Sequence, residues 1–164
     1  MIPRRASAAF LSLILLAACD AGITGPTSEH LSSLSLAGSF ACGLDAEGRA
    51  YCWGGDNASG QLGDGTNRPS PTPVRVKTGV RFQQVVAAAA HACGLATDGR
   101  VFCWGDNSTS QLGVRTTDLD CNLLQPNGWV QDFANACSTV PTPVETPLRF
   151  VQMGAGPFHT CART

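Results

Sequence analysis

Residues 42–65, "CGLDAEGRAYCWGGDNASGQLGDG", return in altered form at 93–114 as "CGLATDGRVFCWGDNSTSQLGV". Cys42 and Cys93 lie 51 residues apart, as do Cys52 and Cys103, and Trp53 and Trp104. Gln61 and Gln111 lie 50 apart, because the first copy carries an extra residue at Gly54-Gly55. Self-similarity at a fixed period marks a repeat architecture. The connecting segments match too: "PTPV" stands at 71–74 and 141–144, and Arg-Phe at 81–82 and 149–150. A third copy opens as "MGAGPFHTCA" at 153–162.

Each copy carries a hairpin signal. Short apolar runs flank Ala46-Glu47-Gly48 and Thr97-Asp98-Gly99, and glycine in the third loop position fits a left-handed residue with a bulge. Centring the turn there sets Cys42 opposite Cys52 and Cys93 opposite Cys103. Both pairs fall on non-hydrogen-bonded sites, where opposed Cα atoms are about 4.5 Å apart, within reach of a disulfide. Buried free thiols and a metal site are the alternatives. The nine residues between paired cysteines are not zinc-knuckle spacing, and no histidine or cysteine recurs beside each pair. Two cross-strand disulfides in an oxidising compartment are the expectation. In the same register Gly43 faces Tyr51, Ala41 faces Trp53, Gly94 faces Phe102 and Ala92 faces Trp104. A small residue there leaves room for the opposed ring. Leu44, Ala50, Leu95 and Val101 share the cysteine face, so both faces are apolar and both need covering. Stacked or radial sheets do this.

The composition agrees with an all-β chain: 18 glycines, 10 prolines and only 14% charged residues among 164 suggest many turns joining short strands. A net charge of −1 supplies no electrostatic footprint for nucleic acid. Arg4 and Arg5 followed by "ASAAFLSLILLAA" form a signal peptide over residues 1–18, too short to span a bilayer comfortably. Its end, "LAAC" at 16–19, resembles the lipobox of bacterial lipoproteins, in which Cys19 is lipidated and becomes the mature N-terminus. An ordinary signal peptide is the alternative. Residues 19–35 read as a flexible tether. The expected location is the bacterial cell envelope, exported and lipid-anchored to a membrane.

Period, turn, "CWG" and "QLG" together resemble the regulator of chromosome condensation repeat family. The first copy matches at Gly43-Leu44, Gly48-Arg49, Tyr51, Trp53-Gly54, Asn57 and Gly60-Gln61-Leu62-Gly63. The second matches at His91, Gly94-Leu95, Asp98-Gly99, Phe102, Trp104-Gly105, Asn107 and Gln111-Leu112-Gly113. Met153-Gly154-Ala155-Gly156 and His159-Thr160 open the third. The resemblance implies a seven-bladed β-propeller of four-stranded blades. On that reading residues 36–164 are a partial β-propeller of about two and a half blades. Repeat one covers 36–86, repeat two 87–152 with an insertion over 114–138, and repeat three starts at 153–164. Cys121 and Cys137 lie in the insertion and by position staple their own loop, around Trp129 and Phe133, with other pairings left open. The insertion is either a binding loop on one rim or a tolerated excursion.

No nucleophile elbow, phosphate loop or His/Glu metal motif stands out. His91 and His159 occupy equivalent positions, filled by Phe40 in the first copy, which argues for a structural role in bonding a neighbouring turn. Asp56, Asn57 and Asp64 hint at a calcium loop, but Val114 replaces Asp64 in the second copy, so turn bonding is the better reading. Asn57-Ala58-Ser59 and Asn107-Ser108-Thr109 are fortuitous glycosylation sequons. The expectation is no enzyme, no cofactor and no metal, but a non-catalytic scaffold of the envelope with an unknown protein partner. Family analogy alone adds two readings: an inhibitor of an exported enzyme, as in a β-lactamase inhibitory protein, and a guanine-nucleotide exchange factor, which the export signal opposes. Open sheet edges would favour self-association. Cys161 is left unpaired; by the earlier spacing its partner falls at 171. The chain therefore reads as a truncated piece of a longer propeller, or a fragment without function.

Overall fold

Strand-forming runs around a glycine turn dictate the central hairpin of each copy, and the flanking strands follow from its two apolar faces. The computed structural model describes residues 31–114 and 137–164, and all their regular secondary structure is β-strand. In chain order the strands are β1 (Leu31–Leu36), β2 (Phe40–Asp45), β3 (Ala50–Gly54), β4 (Ser70–Arg75), β5 (Phe82–Ala87), β6 (His91–Ala96), β7 (Val101–Asp106), β8 (Cys137–Pro143), β9 (Gln152–Gly156) and β10 (His159–Arg163). Strands β1 to β4 form one antiparallel meander, β5 to β8 a second, and β9 pairs with β10. These are two four-stranded blades and the opening pair of a third, the partial propeller expected.

The turns have the anticipated chemistry. Gly48 adopts φ 75° and Gly99 φ 82°, a region that costs glycine nothing and other residues about a kcal/mol or more. Gly48 N donates to Asp45 O at 3.1 Å, and Gly99 N to Ala96 O at 3.0 Å. Cys42 faces Cys52, Gly43 faces Tyr51 and Ala41 faces Trp53, with Cys93, Gly94 and Ala92 repeating the pattern. Disulfides join Cys42 to Cys52 and Cys93 to Cys103, each with Cα atoms 4.1 Å apart.

Four expectations need correction. Leu31–Ser35, assigned to the tether, belong to β1, which pairs with β2. The "LSSLSL" run is too polar to stand out, but lies 51 residues before its counterpart β5. The repeat boundaries at 86/87 and 152/153 cut through β5 and directly after the first residue of β9; the first two blades instead begin one strand earlier, at β1 and β5, and the third one residue earlier, at the start of β9. Gly94 makes room for Phe82 rather than the opposed Phe102: a Cβ there would lie 2.5 Å from the Phe82 ring. Phe82 meets Phe102 edge-on, ring centroids 6.1 Å apart. Finally, the two "PTPV" segments are not equivalent in space. Val74 faces Cys52, but Thr142 faces Cys103, a slip of two residues that keeps the same face inward.

The slip leaves a common feature. Val76 N donates to Ala50 O and Val144 N to Val101 O, both at 2.9 Å, so alternation turns Pro73, Pro141 and Pro143 outward from the last strand of each blade. Between blades, the disulfide face of the first (Phe40, Cys42, Leu44, Ala50, Cys52) packs against Phe82, Val85, Ala92, Phe102 and Trp104 of the second. The disulfide face of the second blade (Cys93, Leu95, Val101, Cys103) is covered in turn by Met153 of β9. Both faces of the second blade are thus buried. Replacing Cys42 and Cys52 by alanine should lower unfolding free energy by about 2–3 kcal/mol, the loop-closure entropy of a ten-residue separation. Urea denaturation of the double variant against the parent checks this; an unchanged midpoint would count against the disulfide as a stabilising staple.

Candidate functional site

Many of the residues singled out in sequence lie at or near the blade seam, where they hold turns and close contacts together. After β3 the chain makes a loop held by one buried side chain. Asn57, 1% exposed, accepts from Leu62 N at 2.9 Å and donates Nδ2 to Thr66 O and Arg68 O at 2.9 Å. Asn107 repeats this, accepting from Leu112 N at 2.9 Å. Both sequon asparagines are therefore buried and bonded. Gln61 accepts from Ser59 N, and Gln111 from Thr109 N. Leu62 and Leu112 are fully buried, and Gly63 and Gly113 share φ 66°. Asp56 accepts from Ala58 N, and Asp64 from Thr66 N and Oγ1, so both carboxylates serve turns. Among the described residues no three His, Cys, Asp or Glu side chains cluster as metal ligands.

This loop receives the next blade. The Trp104 indole is fully buried, and its Nε1–H donates to Gln61 O at 2.9 Å. A Cβ on Gly63 would lie 2.7 Å from that nitrogen, so only glycine admits the ring. Beside it, Gly65 N donates to Thr139 O at 2.9 Å, and a Cβ on Gly60 would lie 2.7 Å from Thr139 Cα. Gly105 likewise lies close beneath Gln61 and Ala90. Trp53, the counterpart of Trp104, is only half-buried, and Gly54 closes against Ser39 and Phe40 as Gly105 does against Ala90 and His91.

His91 bonds a strand of the third blade rather than a turn. Fully buried, it places Nε2 3.0 Å from Thr160 Oγ1, which also sits 3.4 Å from Cys93 Sγ. Burial pushes the His91 pKa below its ordinary value, the Asp106 carboxylate opposing and His159 reinforcing the shift. His159 itself is exposed. At the first turn, burial raises the Asp45 pKa but is outweighed by hydrogen bonds from the Arg49 side chain and backbone, leaving it lowered. Cys137 begins β8, is 2% exposed and is disulfide-bonded; its expected pairing with Cys121 lies outside the described residues, as does Cys19. Cys161 is a free, exposed thiol. The contacts of Phe82, Thr139 and Thr160 were not foreseen: Phe82 lies over Gly94 of the adjacent strand, while Thr139 and Thr160 meet Gly60 and His91 of the preceding blade.

Residues 47–95 and 98–163 match the Regulator of chromosome condensation (RCC1) repeat, and 82–111 match a second description of it. The chain belongs to this family. It is 43% identical over 74 residues to the human "Probable E3 ubiquitin-protein ligase HERC3", across 43% of this chain and 7% of that protein. It is 35% identical over 85 residues to the Arabidopsis thaliana "RCC1 domain-containing protein RUG3, mitochondrial", across 51% of this chain and 19% of that one. Among solved structures it resembles yeast RCC1 (Prp20), seen bound to Kap60, with TM-score 0.63 and 19% identity over 81% of this chain and 30% of that one. Human WBSCR16 gives TM-score 0.60 at 20% identity, over 80% and 30%. These likenesses establish the propeller fold. The chain spans less than a third of the length of each structure.

Gly63→Ala should cost about 2–4 kcal/mol, from a left-handed φ and overpacking on the Trp104 ring, with a red shift in tryptophan emission as the indole gains water. Retained stability in a thermal melt would contradict the close seam. His91 supplies a pH test. Its folded pKa is depressed, so its contribution to stability is full above the unfolded value of about 6.5 and falls as pH drops below it. The melting temperature should decline between about pH 7 and 5. His91→Phe, which copies Phe40, should flatten that decline, while the Asp45 loss at more acidic pH remains.

Proposed function

We propose that this chain is a non-catalytic protein-binding module of the bacterial cell envelope, exported and lipid-anchored through Cys19. One observation carries the binding reading: in the two four-stranded blades the repeated polar side chains with chemical potential serve the scaffold. Asn57, Asn107, Gln111 and His91 are buried and bonded within the fold, and the cysteine pairs are oxidised. What differs between copies is the exposed connections, and propellers offer such rims to partners. Yeast RCC1 (Prp20), the structural relative, is itself seen bound to another protein, Kap60. The ligase in the name of the human relative concerns a protein of which this chain matches 7%. Lipid anchoring is supported by the "LAAC" sequence at the end of an apolar run.

Cys19→Ala should move the protein from the membrane to the soluble fraction on cell fractionation. Photo-cross-linking from the rim connections in intact envelopes should trap a discrete protein partner that survives washing. Absence of any such adduct from every rim position overturns the binding reading, and membrane retention of the variant overturns the anchor.

A further inference from the structure

Between β4 and β5 runs Arg75-Val76-Lys77-Thr78-Gly79-Val80-Arg81. Val76 is buried and Val80 half-buried, while Arg75, Lys77, Gly79 and Arg81 are all exposed, so three cations line one outward side. Lys77 is fixed in place: its backbone N donates to Gly63 O at 2.8 Å, and its stem lies over Gly65. Two open grooves of about 560 and 360 Å³ adjoin here, both lined by Gly79. Each groove has one acid in its wall: Asp64, which accepts from Thr66, and Asp98, which pairs with Arg100 at 2.7 Å. Arg75, Lys77 and Arg81 make no ion pair among the described residues.

The second blade provides an internal control. Phe82 N donates to Gly48 O and Phe150 N to Gly99 O, as Val76 and Val144 do to their own equivalent carbonyls. Arg75, Lys77, Gly79 and Arg81 therefore correspond to Pro143, Glu145, Pro147 and Arg149. The fold is built equally well on both, so the cations at 75 and 77 are not required by it, whereas Arg81 recurs as Arg149. In a chain of net charge −1 Arg75 and Lys77 line the larger groove and Arg81 the adjoining one, so positive charge gathers along this segment, the complement of an acidic surface.

We propose that the groove along residues 75–81 binds an acidic peptide segment of the partner protein. The inference rests on the binding-module reading and adds the site and its chemistry. Nucleic acid is the poorer occupant, because no aromatic side chain lines the groove for base stacking.

The test is fluorescence anisotropy of the full chain with a short labelled peptide of alternating Glu and Ser. Saturable binding is expected, weakening roughly ten-fold between about 50 and 300 mM salt. Lys77→Glu should weaken it about ten-fold, and Arg75→Glu with Lys77→Glu further. Glu145→Lys, on the corresponding segment, should leave it unchanged. Circular dichroism confirms that the exposed variants fold. No peptide binding, indifference to Lys77→Glu, or tighter binding of single-stranded DNA of equal charge each overturns the proposal. The cross-linked partner separates the two readings. If it is captured equally by the Lys77→Glu variant, the groove is wrong while the module stands; if no partner is captured, the module fails even where the peptide binds.

Discussion

The indole of Trp104 answers three demands at once, and the seam between blades depends on their agreement. The ring needs an apolar enclosure, its N–H needs an acceptor once buried, and the chain beneath must come close enough to provide both. Gly63 supplies the approach and Gln61 O the acceptor. Gln61 and Gly63 are positioned in turn by Asn57, whose side chain accepts from Leu62 between them. One turn of one blade thereby sets the place of the next. A blade with apolar residues on both faces has no stable life alone, and the repeat places its anchor where the neighbour must sit.

The hairpins were legible in sequence because their information is local. A glycine at a turn, cysteines ten apart and period-two alternation fix the pairing of β2 with β3 and β6 with β7 without reference to distant residues. The candidate structural residues were legible for the same reason, as they recur. Three features were not. β1 is half serine, and only its distance from β5 identifies it. Phe82 covers Gly94 from the adjacent strand, a contact that hairpin register alone does not contain. The repeated "PTPV" invited an alignment that sheet geometry rejects: a two-residue slip preserves which face points inward, so both registers satisfy the pattern and the backbone bonds at Val76 and Val144 decide.

Comparison of the blades also separates what the fold requires from what it tolerates. His91 and Phe40 hold equivalent buried positions, so the site asks for a flat ring more than for an imidazole; the extra nitrogen in the second blade is used to reach Thr160. Ser110 takes φ 64° where Gly60 takes 75°, since Gly60 alone has Thr139 pressed against it. Identical backbone shape thus carries different side chains wherever the neighbour permits.

The outward prolines on β4 and β8 have a consequence for how this molecule meets others. A last strand normally offers a row of free donors and acceptors on which any extended chain can crystallise a new strand. Pro73, Pro141 and Pro143 remove the donors at alternate positions, so the perimeter is chemically blunt toward backbone. Backbone pairing at these two edges is thereby disfavoured, which leaves side chains and the connecting segments between blades as the better contacts. Neighbouring blades meet through faces and loops instead.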